Sequence, residues 1–215
     1  MINARDVSDN SVELYAVKDR HETVNIPEEF TMTEDLQRCC YDVIDTLPKT
    51  KMFPLIADIL ERLYRASDAE YFIYTNVDIG LFPNFYDFVK EKINEGLDAF
   101  CINRRDMPKR VDGEIINEKN YQKLFRLKGT GHPGKDCFVF KRSSLKVMDF
   151  KNVFIGAPPI GRVLMKQVKK TSINFHWFTE EFVTFHIGSD LVWNNPDNPY
   201  WLQNINEGSG IASNN

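Results

Sequence analysis

Tyr71-Phe72-Ile73-Tyr74-Thr75-Asn76-Val77-Asp78-Ile79-Gly80 is the stretch that decides the fold class. Its first five residues are β-branched or aromatic with little polar alternation, the pattern of a central strand covered on both faces. The run stops at Asn76, and residues 76–80 read as a polar turn. The next periodic segment, 84–95, places Phe85, Phe88, Val89 and Ile93 on one helix face and is closed by Gly96. Residues 99–103 read as a second buried strand.

Upstream, 12–17 (VELYAV) is a short strand that breaks into the charged loop 18–22. Residues 33–44 put Leu36, Cys39, Cys40, Val43 and Ile44 on one stripe at helical spacing, with Thr33 as cap, and so predict a surface helix. A second helix is expected over 54–65, with Pro54 tolerated in its first turn. The repeated order of strand and helix favours an α/β layer architecture with parallel strands and right-handed crossovers.

Downstream the chain changes character. Residues 104–128 are charged and weakly periodic, and 129–134 (GTGHPG) is a turn-rich loop, so mobility is expected there. Strands are expected at 136–141 and 181–187, the second ending at Gly188-Ser189-Asp190, with a short helix at 161–170. Residues 204–215 read as a flexible tail. One domain spanning 1–215 is the expectation.

The 215 residues are 42% hydrophobic and 27% charged, which excludes a disordered, collagen-like or coiled-coil chain. A chain of this length buries roughly 70% of its unfolded surface and needs no disulfide or structural metal. A net charge of −4 gives no broad electrostatic reason to expect nucleic acid or an anionic membrane as partner. Cys39, Cys40, Cys101 and Cys137 show no C-x-x-C spacing, the N-terminus is polar and acidic, and no apolar run approaches a membrane span, so a reducing cytoplasmic location is expected. The P-loop, dinucleotide and nucleophile-elbow motifs are missing from the sequence.

In open α/β sheets ligands bind beyond the carboxyl ends of the strands, so polar residues there carry the chemistry. Asn76 and Asp78, two positions apart in an extended segment, face the same way and present oxygens suited to Mg2+ or Mn2+. The same pair also turns a chain and caps the next segment, and spacing leaves both readings open. His186, near the end of an apolar strand, is a metal ligand or a hydrogen-bonded core residue. Residues 131–136 (GHPGKD) combine an imidazole, an ammonium and a carboxylate, a set that lines a sugar site or supplies a base, or forms a surface turn. Lys51, Arg104 and Arg105 suit phosphate, although most such residues are solvated. Asp19 and Glu22 suit ribose hydroxyls. Trp177, Trp193, Tyr200 and Trp201 are stacking surfaces or packing residues.

Taken together, AEYFIYTNVDIGLFPNFYDFV, INRRDM, GHPGKDCFVFKRS, IGAPPIGRVL and TFHIGSD, in that order, resemble a glycosyltransferase-like family of the GT-A type. The similarity runs over residues 12–193. It implies a Rossmann-like GT-A-type mixed sheet with helices on both faces, a nucleotide-diphospho-sugar donor, an acceptor yet to be named, and Mn2+ or Mg2+ held at a D-x-D motif. That motif is here Asn76-Val77-Asp78, which leaves Asp78 as metal ligand and Asn76 beside the cofactor. The resemblance makes His186 the second metal ligand, gives Lys51 and Asp19 to donor binding, and leaves Asp136 as the nearest candidate for the catalytic base. The family's acidic pair before a helix has no counterpart at Gly156-Ala157-Pro158-Pro159-Ile160.

Such enzymes open with a strand and loop of the nucleotide pocket, whereas only MINARDVSDNS precedes what resembles the second strand. A shortened N-terminus or a degenerate, catalytically weak binding module is implied, with an exposed sheet edge that invites homo-oligomer pairing. A nucleotide-sugar or phosphate hydrolase on a related sheet is the third reading.

Overall fold

The computed structural model describes residues 1–188 and 198–212. The chain divides into two compact units. The first comprises Met1–Val12, Ile73–Phe140 and a segment beginning at Ile173; the second comprises Glu13–Phe72, Lys141–Ser172 and the C-terminal helix.

The spine of the first unit is strand β5 (Ala99–Met107), buried along nearly its whole length. It pairs antiparallel with β8 (Thr130–Lys141) and parallel with β9 (Phe175–Phe178) and β10 (Thr184–Ile187). Because β9 matches residues 99–102 and β10 matches 105–107, the two short strands lie end to end along β5. β10 then pairs antiparallel with β4 (Ile79–Leu81), and β3 (Tyr71–Thr75) lies beyond β8. The sheet is therefore mixed. This is the mixed sheet that the resemblance implies; β8, with no helical crossover between it and β5, returns antiparallel by the short route.

Helix α4 (Phe85–Asn94) follows the sequence pattern closely, with Phe85, Tyr86 and Val89 buried. The short helix α1 (Ile2–Asp6) is followed by Ser8 and Asn10, which both donate to Asp87 Oδ1. Phe82, Met107, Val111, Ile116, Leu124 and Phe185 form one buried cluster of this unit.

The structure corrects several expectations here. Residues 130–134 are not a loop but the first half of β8, whose register shifts against Asn103 absorb the extra residues as bulges. The charged segment 104–128 is structured: β6 (Arg110–Val111) and β7 (Glu114–Ile115) form a hairpin, and Tyr121–Arg126 is a 3-10 turn. Arg104 and Arg105, weighed as phosphate-binding or solvated cations, are buried inside β5. β4 stands where a turn was expected.

In the second unit β1 (Tyr15–Ala16) pairs parallel with β2 (Thr31–Met32), and the pairing continues at Asp19 and Leu36. Leu36 N–H donates to Lys18 O at 2.9 Å, and Arg20 N–H to Leu36 O at 3.2 Å. This pairing holds Leu36 extended, so the helix expected over 33–44 shrinks to α2 (Cys40–Val43). Helices α3 (Ile56–Ala66), α5 (Ile160–Lys170) and α6 (Pro199–Ala212) complete the unit. Cys40, Ile44, Leu47, Leu55, Phe154, Ala157 and Tyr200 form its buried cluster.

Helix α6 covers residues 204–212, where a flexible tail was expected. Its fully buried Asn204 accepts from Phe154 N–H and donates to Phe154 O and Ala157 O, which docks the helix by a three-bond clamp. Among the described residues no helix is long and apolar enough to cross a membrane.

Candidate functional site

Four strand ends of the first unit build one polar cluster. Asn76 follows β3, and its carbonyl accepts Ile79 N–H at 3.2 Å, closing the turn that carries Asp78 into β4. On β10, His186 is in register with Ile79 of β4 on one side and Asp106 of β5 on the other. That register sets the imidazole between two carboxylates. Nε2 is 3.6 Å from Asp78 Oδ2, and Nδ1 is 4.0 Å from Asp106 Oδ1. The imidazole is 13% exposed and the Asp78 side chain 54% exposed, so one partner is anchored while the other meets solvent.

Behind this pair lies a buried cation. Arg104 donates through Nη1 to Asp136 Oδ2 at 2.9 Å and through Nε to Asp106 Oδ1 at 3.2 Å. Asp136 also accepts from Asn76 Nδ2 at 3.3 Å, and Asn76 Oδ1 accepts the Tyr74 hydroxyl at 3.1 Å. Tyr74, Asn76, Asp136, Arg104 and Asp106 therefore form one continuous network. Charge-assisted bonds of this kind fix side chains in place, and a guanidinium can serve two carboxylates from one plane.

Burial raises the Asp136 pKa above the ordinary carboxylate range; Asp78 adds to the rise, while Arg104 and His132 oppose it. Burial also raises the Tyr74 phenol. The Cys101 thiol is pushed up to about 12 by burial, and that of Cys137 also rises, so neither serves as a thiolate nucleophile.

A groove of about 540 Å³ adjoins the cluster and shares Asp106 with it. Met107, Pro108, Lys109, Thr130 and Gly188 are among its other walls. Gly188 has φ +104°, and a Cβ there would lie 2.5 Å from Lys109 Cε, so the glycine lets the lysine stem cross the end of β10.

The structure thus brings together Asn76, Asp78, Asp136 and His186 from the sequence-derived set. Asn76 turns the chain, as one of its two readings had it, and its side-chain amide is taken up by Tyr74 and Asp136. Asp106, which sequence reasoning passed over, faces His186; the signal was its alternation with Arg104 along a strand that was ended too early. Asp19 and Lys51 lie in the second unit. Asp19 is buried, with Oδ1 accepting His21 N–H at 2.9 Å. Lys51 is exposed; its backbone N–H donates to the Tyr200 hydroxyl, and its ammonium stands 5.6 Å from the Phe53 ring centre. Arg105 spends its donors on Lys128 O and Gly129 O, a structural use where phosphate binding had been considered. Tyr200 is a core residue, not an exposed stacking surface. Ser189, Asp190 and Trp193 lie outside the described residues.

Among the described residues no group of three or more His, Cys, Asp and Glu side chains is arranged to hold a metal ion. The relevant donor pair is Asp78 and His186. Two ligands about 2.1 Å from one ion stand roughly 3.0–3.4 Å apart at octahedral or tetrahedral angles, so the 3.6 Å observed between them is close to what one ion requires. Asp106 stands on the far side of the imidazole at 4.0 Å, a charge facing Nδ1 beyond hydrogen-bond distance. These residues fit a divalent cation.

No family model matches the chain, and no curated protein matches it. Among solved structures it is similar to that of S. aureus TarS 1-349 in complex with UDP-GlcNAc, with a TM-score of 0.51 and 10% sequence identity. The match covers 88% of this chain and 54% of that one, so the chain spans about half the length of the protein it resembles. At this identity the likeness concerns the fold, which is a mixed α/β sheet of the GT-A-like, Rossmann type.

Proposed function

We propose that this chain is a glycosyltransferase-like protein that takes a sugar from a nucleotide-diphosphate donor to an acceptor, with Mn2+ or Mg2+ assisting. The observation that carries the reading is the 3.6 Å approach of Asp78 and His186 at adjoining strand ends. Its support is a fold similar to that of a protein solved with UDP-GlcNAc.

In this reading Asp78 and His186 would hold the cation, which when bound neutralises the diphosphate as it leaves. Asp106 would act on the imidazole as a negative charge 4.0 Å from Nδ1. Arg104 bridges Asp106 and Asp136 and offsets their charge, and the Asn76 carbonyl closes the turn that presents Asp78. Asp136 is the candidate base; because Arg104 and Asn76 hold its two oxygens, it takes a proton from an acceptor hydroxyl only by giving up one of these partners. Asp19 and Lys51 enter the proposal as donor-binding residues, for ribose hydroxyls and phosphate respectively.

Calorimetry of UDP, GDP and their sugars with and without Mn2+ tests the proposal. Metal-dependent binding of one donor is the expected result, and no binding of any donor with metal present overturns it.

One observation favours a second reading, a binding module with little turnover. The Asn76 amide is committed to Tyr74 and Asp136, so the motif offers one carboxylate where the GT-A pattern has two. Turnover of a nucleotide sugar that disappears in Asp78→Ala rejects that reading.

A further inference from the structure

Trp177, Lys135 and Asn103 come from three distant parts of the sequence and meet on the first unit's sheet. Trp177 lies opposite Cys101 in the β9–β5 register, and Lys135 lies opposite Asn103 in the β8–β5 register. Residues 101 and 103 share one face of β5, because alternate strand residues point the same way; Arg104 and Asp106 point to the other face. The three side chains therefore gather on the face away from the carboxylate–histidine cluster.

Their geometry is fixed. The Trp177 indole N–H donates to Asn103 Oδ1 at 2.8 Å, and Asn103 is buried, so the ring is pinned at its polar edge. Lys135 Nζ stands 4.4 Å from the ring centre, a cation–π distance. Yet Trp177 remains 39% exposed, and among the described residues Lys135 has no carboxylate partner. The partly open indole and the adjoining ammonium thus present an apolar surface and cationic donors side by side. The neighbouring β9 residues differ: His176 and Phe178 face each other with ring centres 4.4 Å apart, and Phe178 packs on Phe88 and Phe100.

We propose that Trp177, Lys135 and Asn103 form a saccharide-binding platform separate from the Asp78–His186 site. A pyranose would set its apolar C–H face against the part of the indole that Lys135 leaves exposed and offer hydroxyl oxygens to the ammonium, and the pinned ring lowers the entropy cost of docking. A nucleobase would also stack on the ring and offer carbonyl oxygens to the ammonium, so uridine is the competing occupant in the test. The platform stands independently of the transferase reading, since it uses none of that site's residues.

The test titrates the full chain with maltotriose, chitotriose and mannotriose, and with uridine, by tryptophan fluorescence and calorimetry. At least one trisaccharide is expected to bind the wild type. Trp177→Ala is expected to weaken that binding at least tenfold, with Trp177→Phe and Lys135→Gln intermediate. Trp177→Phe, with an unchanged melting curve, separates lost binding from lost folding. Failure of all three trisaccharides to bind overturns the platform, as does equal binding by Trp177→Ala or stronger binding of uridine at Trp177. Donor binding measured on the same variants stays unchanged, so the two proposals fail separately.

Discussion

Arg104 Nη1 donates to Asp136 Oδ2 at 2.9 Å with the arginine side chain only 4% exposed, so the candidate site rests on a buried ion pair. Removing one member leaves the other charged and desolvated, which costs about 3–5 kcal/mol, whereas replacing both with apolar groups of similar size is far milder. Arg104→Met is therefore expected to lose about that much stability in urea unfolding, and the double variant Arg104→Met/Asp136→Leu to recover part of it. A single variant as stable as the wild type would show that the pair is not desolvated in solution.

Acid titration separates two carboxylates of opposite sign. Asp136 is raised above 3.8, first by burial, so its contribution is fully present below that value and is lost as pH rises through the folded pKa. Asp42 is lowered, first by the Cys39 backbone N–H that it accepts at 2.7 Å, so its contribution is present above 3.8 and is lost as pH falls through the folded pKa. Urea midpoints between pH 3 and 7 check both. The advantage of the wild type over Asp136→Asn shrinks with rising pH, and its advantage over Asp42→Asn grows.

The sequence revealed those parts of the site whose signal is local. The apolar run 71–75 ended where the structure ends β3, and the residues after it, Asn76 and Asp78, do lie at the site. His186 was found because a histidine near the end of an apolar strand is conspicuous. Residues 33–39 were misread because helical spacing of apolar residues says nothing about a distant partner, and Leu36 is held extended by the backbone of Lys18 and Arg20. Residues 129–134 were misread because glycine and proline mark bulges as well as loops, and only the pairing with β5 distinguishes them. Arg104 was weighed for phosphate and Asp106 was passed over; three-dimensional pairing with Asp136 and the approach of His186 give them their place. One local cue was available and unused: Asp112-Gly113, both at positive φ between β6 and β7, is a strong hairpin signal.

If Asp78 and His186 hold a cation, the group behind the imidazole matters as well. Asp106→Asn removes the charge facing Nδ1 and is expected to weaken Mn2+ affinity by about 10–100-fold. Asp78→Asn and His186→Ala remove ligands and are expected to abolish the Mn2+-dependent part of UDP binding. Manganese titration followed by electron paramagnetic resonance reads all three, and unchanged affinity in Asp106→Asn would leave that residue with a purely structural role beside Arg104.

Gly80 of β4 lies under the Phe185 ring, and a Cβ built there would stand 2.3 Å from Phe185 Cζ. The ring has little room to move, being buried and set edge-on against Phe82 with centroids 5.1 Å apart. Gly80→Ala is thus an overpacking change, expected to cost about 1–3 kcal/mol. In a chain of this size that lowers Tm by roughly 2–4 °C per kcal/mol. Because β4 and β10 also present Asp78 and His186, Mn2+-dependent binding should weaken along with stability. Gly80→Ala/Phe185→Leu, which shrinks the opposing ring, should restore both together.

Asn204 gives the most direct test of the C-terminal segment. With Oδ1 accepting Phe154 N–H at 3.0 Å and Nδ2 donating to Phe154 O and Ala157 O at 2.8 Å each, it satisfies three buried backbone groups. Asn204→Leu removes both the donor and the acceptor, leaving those groups unpaired at about 1–3 kcal/mol for each one that water cannot reach. Asn204→Asp keeps the acceptor but loses the two donors and adds a buried charge, so it should be at least as damaging at neutral pH. Neighbouring Gln203 donates to Glu207 Oε1 on the partly buried side of α6, and Gln203→Ala should lie within about 0.5 kcal/mol of the wild type. Urea unfolding of the three variants orders them. A flexible tail would leave all three alike, whereas a docked α6 puts Asn204→Leu and Asn204→Asp several kcal/mol below Gln203→Ala.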